Sequence, residues 1–133
     1  MLPVLFDTHA IVWLLEQNPN LSSRAFQIYS ESLKRSQPLY LSAISVVEMV
    51  YLIEKKRIRP DALRQLQQEL LQAPSALSVV PVTHEIATRV VAIPRDAVSD
   101  PMDRMIAATA LHLGIPLVTR DAKLRAAGIE TLW

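Results

Sequence analysis

At 133 residues, half of them hydrophobic, the chain is read as a single domain over residues 1–133 with enough apolar surface for one core. It has no cysteine, which excludes disulfides, thiolate metal sites and thiol nucleophiles, and leaves any metal to oxygen or imidazole ligands, a choice that favours a hard cation. The formal net charge of +1 excludes a uniformly basic surface, and the short, interrupted apolar runs exclude a membrane span, so the expected setting is the cytoplasm.

Leu2 to Phe6 is a continuous apolar run followed by Asp7, which predicts a buried first strand with an acid at its carboxyl end. Thr8 to Glu16 then reads as a helix that is apolar almost all round from Ala10 to Leu15, so burial on more than one side is expected. Asn18-Pro19-Asn20 breaks it, and Ser22 or Ser23 caps a second helix to about Arg35. A second strand follows at Leu39 to Leu41. Ser42 caps the next helix, which carries Glu48 in its second turn and ends in Lys55-Lys56-Arg57. Pro60 opens a fourth helix to about Gln72, and Pro74 stops it. Leu77 to Val82 is the third strand, and Thr83 caps a helix through Ile93 with Ile86, Ala87, Val90 and Val91 as its buried side.

The stretch from Ser99 to Asp121 organises the rest. Asp100 is placed as an N-cap, Pro101 suits the first helical position, Asp103 falls in the electropositive first turn, and Gly114 ends the helix. The small residues Ala107, Ala108 and Ala110 allow close approach to a sheet. Pro116 to Thr119 reads as a buried strand with Asp121 just past its end, followed by a short helix stopped by Gly128 and a last strand, Ile129 to Trp133.

Strands alternating with helices specify an α/β, three-layer domain with a mostly parallel five-stranded sheet flanked by helices. If the first and fourth strands are central neighbours, Asp7 and Asp121 meet at the switch point, where Glu48 and Asp103 can join them. Four carboxylates in one crevice repel, which either holds protons on some of them or is relieved by bound cations; divalent metal is the simpler resolution, and Mg²⁺ and Mn²⁺ also leave coordination positions for phosphate oxygens. Each acid also has a plainer reading. Asp7 and Thr8 could start the first helix, Glu48 could be the return partner of Ser45 in a capping box, Asp121 could cap the last helix, and Asp103 could serve the helix dipole.

The ordered set Leu5-Phe6-Asp7-Thr8-His9-Ala10 with Trp13-Leu14-Leu15, then Ser42 to Glu48, then Asp100 to Ala110, then Leu117-Val118-Thr119-Arg120-Asp121, spans nearly the whole chain. In this order it resembles the PIN-domain ribonucleases, and most of all the VapC-type toxins of prokaryotic toxin–antitoxin pairs. That resemblance implies a metal-dependent endoribonuclease. Asp7, Glu48, Asp103 and Asp121 would take the family's acidic positions, with Asp7, Asp103 and Asp121 on Mg²⁺ or Mn²⁺ and Thr119 as a supporting hydroxyl. Asp100 would match a subgroup with a second acid before the helix.

Arg104 and Arg120 are placed to touch substrate phosphates or to pair with neighbouring acids, and His9 is read as a polar neighbour of the site or plain helix surface. The resemblance further implies a small antitoxin partner and a homodimer. The helices Ala43 to Lys56 and Pro60 to Gln72 carry enough apolar positions to form a groove for an amphipathic segment, or simply to pack on each other. Two other functions compete. A phosphatase of the HAD type wants a second Asp two residues after the first, where His9 stands, and a non-catalytic PIN-like binding module need not keep four repelling acids.

Overall fold

The computed structural model describes residues 3–72 and 75–133, so the parts of the expected first strand and fourth-helix stop that fall on Leu2 and Pro74 lie outside the described residues. Five strands form one sheet in the order β3-β2-β1-β4-β5, where β1 is Leu5–Phe6, β2 Leu39–Ser42, β3 Leu77–Val80, β4 Leu117–Val118 and β5 Thr131–Leu132. Every pairing is parallel: Leu5 lies opposite Tyr40 on one side and Leu117 on the other. The chain therefore winds outward from β1 to β3, then returns to the centre for β4. The reversal falls between β1 and β4, the place where α/β sheets open a crevice at their carboxyl ends.

Among the described residues seven helices cover the two faces: α1 Thr8–Glu16, α2 Ser23–Lys34, α3 Ala43–Glu54, α4 Ala62–Leu71, α5 His84–Arg89, α6 Pro101–Leu113 and α7 Ala122–Ala126. Strand alternation divides the core. Val4 and Phe6 point to one face, with Leu39, Leu41, Ile11, Ala25, Met49 and Leu66, whereas Leu5 points to the other, with Leu117, Ile86, Ile106 and Ala107. Phe6 and Leu5 are fully buried, and truncating Phe6 to Ala removes about 3–5 kcal/mol of stability. The alanines of α6 are buried against the second face, and Gly114 ends that helix with φ +66°, a conformation that costs glycine little.

Two expectations are corrected. The helix after Thr83 stops at Arg89 and continues as a 3₁₀ turn, Val90–Ala92, and Ala87 and Val91 face outward rather than into the core. An α-helix through this point would need an N–H at residue 94 to meet the Val90 carbonyl, and Pro94 has none. Pro60 precedes α4 by two residues instead of opening it, with Asp61 between.

Candidate active site

β1 runs directly into α1, and Asp7 is the joint. Its backbone is extended and its Oδ1 accepts from the Ala10 N–H at 2.8 Å, capping the helix. Its Oδ2 accepts from the Thr119 hydroxyl, which the neighbouring strand β4 delivers at its end. Thr119 Oγ1 in turn accepts from the Asp121 N–H at 3.0 Å, and Asp121 Oδ1 caps α7 by accepting from Lys123 N–H at 2.9 Å. The capping role and the place in the crevice are thus held together by the same residues; each cap uses one carboxylate oxygen.

Glu48 enters from α3. Its Oε1 lies 2.6 Å from Thr8 Oγ1, which is also 3.0 Å from Ser45 Oγ. With one proton to give, the Thr8 hydroxyl donates to the carboxylate and accepts from the serine. Both hydroxyls are buried. The capping-box reading of Ser45 and Glu48 is therefore corrected: Ser42 caps α3 through Ile44 N–H, and Ser45 braces Thr8. These buried hydroxyls hold Glu48 in the candidate site and were not foreseen from the sequence, because no local pattern ties Thr8 to a carboxylate forty residues on.

Asp103 enters from the first turn of α6, which Asp100 caps through Met102 and Asp103 N–H at 2.9 and 3.0 Å. Burial, and then the charges of Asp100, Glu48, Asp121 and Asp7, push the Asp103 carboxyl up to about 6. Burial also raises Asp7, with Glu48 adding to it, while the Thr119 hydroxyl, the Ala10 N–H and His9 oppose the rise. The five acids therefore act on one another across a single crevice. Among the described residues no three of them close on one point tightly enough for an all-protein cation cage. That spread suits Mg²⁺ or Mn²⁺, which keep several waters and are held through one or two carboxylates plus substrate oxygens.

The remaining expectations divide. Arg120, between Thr119 and Asp121, is exposed, and its guanidinium sits 5.8 Å over the Trp13 ring. His9 is exposed on the first turn of α1 with its ring 5.8 Å from Trp13. Arg104 is a correction: its guanidinium donates to the Ile93 carbonyl at 2.9 and 3.3 Å and to the Val90 carbonyl at 3.2 Å. The Val90 carbonyl also accepts from the Ile93 N–H at 3.0 Å in the 3₁₀ turn, so Arg104 adds a second donor there and is spent on clasping this turn rather than aimed at a phosphate or an acid.

The PIN domain pattern matches residues 4–130. The chain belongs to the PIN domain family. This PIN domain is 35% identical over 125 residues to Ribonuclease VapC22 of Mycobacterium tuberculosis, across 94% of this chain and 92% of that protein. Its fold is similar to a chain of the VapBC2 complex from Rickettsia felis bound to a promoter DNA fragment, with a TM-score of 0.73, 16% identity and 98% of each chain covered. It is also similar to a chain of a toxin–antitoxin complex from Klebsiella pneumoniae, with a TM-score of 0.61, 26% identity, and 98% of this chain and 96% of that one covered. Membership of the PIN family sets the phosphatase alternative aside.

Proposed function

We propose that this PIN domain is a divalent-metal-dependent endoribonuclease and the toxin of a type II toxin–antitoxin pair. The observation that carries the reading is the convergence of acids from four elements on the half-buried Asp103: Asp7 and Asp121 at the carboxyl ends of β1 and β4, Glu48 from α3 and Asp100 at the start of α6, whose charges together with burial push the Asp103 carboxyl up to about 6. A cluster so costly without a cation is what phosphodiester hydrolysis with Mg²⁺ or Mn²⁺ uses. The named likenesses, a ribonuclease and toxin–antitoxin complexes, support the same reading.

In this reading Asp7, Asp103 and Asp121 would hold the cation, one or two of them directly and the rest through its waters, with Glu48 on it or on its water. When bound, the cation supplies Lewis acidity that activates water and neutralises charge on the leaving oxygen. Thr119 fixes the orientation of Asp7, Thr8 with Ser45 fixes Glu48, and Asp100 sets the start of α6 and so the position of Asp103. Arg120 is free of ion pairs among the described residues and meets a substrate phosphate.

The antitoxin would lie in an open groove of about 540 Å³ between α1 and α2, lined by Trp13, Leu14, Leu21 and Phe26, the last 56% exposed. The groove is not the one expected across α3 and α4, which pack on each other instead. The homodimer belongs to the same reading, with exposed Tyr51 and Val91 offering apolar surface to a second copy. No helix among the described residues is long and apolar enough to cross a membrane. The deciding experiment incubates structured RNA with the chain and Mn²⁺, with excess chelator, and with Asp7→Asn. Cleavage only in the first supports the reading; cleavage in all three, or in none, removes it.

A further inference from the structure

Both tryptophans of the chain stand together at one rim of the acid crevice. Trp13 lies on α1 one turn beyond His9, so the two rings share a helix face, 5.8 Å apart. Trp133 follows β5, whose register with β4 sets it beside Thr119: Thr119 N–H donates to the Leu132 carbonyl at 3.0 Å. The indoles meet edge to face at 5.8 Å and 60°, both only partly buried, and the Arg120 guanidinium lies 5.8 Å over Trp13. The group is tied to the acids through Asp7, two residues before His9, through Thr119, which bonds Asp7, and through Asp121, next to Arg120.

Packing accounts for part of this. Each indole is partly buried against the core, and the Trp13 ring already meets Arg120, Trp133 and His9, yet an exposed His and an exposed planar cation gathered on two half-buried indoles exceed what core closure needs. The chemistry they share is affinity for flat π-systems, combined at Arg120 with positive charge, and Lys123 and Arg125 are exposed just beyond. Base–aromatic stacking requires an unpaired base, since a base within a duplex keeps both faces covered.

We propose that Trp13, Trp133 and Arg120 form a stacking platform for an unpaired nucleobase of the substrate, next to the phosphodiester held at the acids. The inference rests on the ribonuclease reading and deepens it. The platform selects single-stranded or looped RNA, and positions the chain for cleavage a short distance from the stacked base.

Because the only two tryptophans are in the platform, their emission reports occupancy directly. The test titrates a mixed-sequence single-stranded oligoribonucleotide into Asp103→Asn with Mg²⁺, where turnover is blocked, alongside an oligonucleotide with abasic sites and an RNA duplex. Quenching by the single strand is expected, with Kd weakened about 5- to 150-fold by Trp133→Leu or by the abasic sites. The abasic strands test the platform with its side chains unchanged and so guard against loss of fold in Trp133→Leu as the cause. Equal affinity for intact and abasic strands, a preference for duplex, or an unchanged Kd in Trp133→Leu would overturn the platform. So would a Trp133→Leu chain that binds RNA normally but loses a co-expressed antitoxin. Failure of the ribonuclease reading shows separately, as no cleavage by the unsubstituted chain with Mn²⁺.

Discussion

The two sides of the crevice hold their carboxylates differently. On the β1 side Asp7 and Glu48 each accept a hydrogen bond from a threonine, Thr119 and Thr8, so their orientations are fixed and part of the burial cost is offset. On the α6 side Asp103 has burial and four like charges against it, and its carboxyl is pushed up to about 6. Burial raises the Asp7 carboxyl as well, so a charge is costly on both sides; what differs is that hydroxyl donors fix Asp7 and Glu48 in place, whereas Asp103 has no such side-chain donor among the described residues. The contrast assigns the hydroxyl-braced pair to positioning and Asp103 to sensing charge.

The largest effect should come from neutralising either side. Asp7→Asn and Asp103→Asn should each lower metal-dependent RNA cleavage by about 10³-fold, several kcal/mol of transition-state stabilisation, while circular dichroism stays unchanged. Retained turnover in Asp103→Asn alone would break the contrast by making the α6 side dispensable. Next, Thr119→Val removes the donor to Asp7 and the acceptor for Asp121 N–H, and should cost about 10- to 100-fold in activity. Thr8→Val should cost about 10-fold, since Glu48 loses its brace but stays in the crevice. If the valine variants match the parent, the bracing is structural ornament and the contrast loses its meaning.

The smallest effect is on stability and has a definite sign. Near pH 4 Asp103 is protonated in the folded chain, and Asp103→Asn should melt with the parent. As pH rises through about 6 the parent gains a charge among like charges, so folding stability falls relative to the variant. Screening at this half-buried group limits the gap to about 1 kcal/mol, or about 3 °C in Tm above pH 7 without divalent ions. A parent that gains stability over the variant as pH rises would reverse the assignment.

Asp7, Asp103 and Asp121 were legible in the sequence because each sits where a strand ends or a helix begins, and those boundaries are marked by local chemistry: Leu5-Phe6 before Asp7, Asp100-Pro101 before Asp103, Val118-Thr119 before Asp121; Glu48, inside α3, was legible only as part of the ordered set. The strand order followed once β1 and β4 became neighbours. What surrounds the acids was not legible. The Thr8–Glu48 bond and the meeting of Trp13 with Trp133 join residues far apart in the chain, and no period or cap announces them. Arg104 was misread for a related reason: its proximity in sequence to Asp103 hid its partners eleven and fourteen residues earlier, the Ile93 and Val90 carbonyls just before Pro94. Val91 was misread because an apolar period was carried past the point where Pro94 ends the helix.

The most direct test is calorimetric titration of Mn²⁺ into the chain at pH 6, repeated in buffers of different ionisation enthalpy. The account predicts binding that releases protons, because burial raises the carboxyls of Asp103 and Asp7 and the cation displaces protons from them, with the release reduced and most of the affinity lost in Asp103→Asn. Binding of equal strength in that variant, or no Mn²⁺ binding to the parent at all, would contradict it.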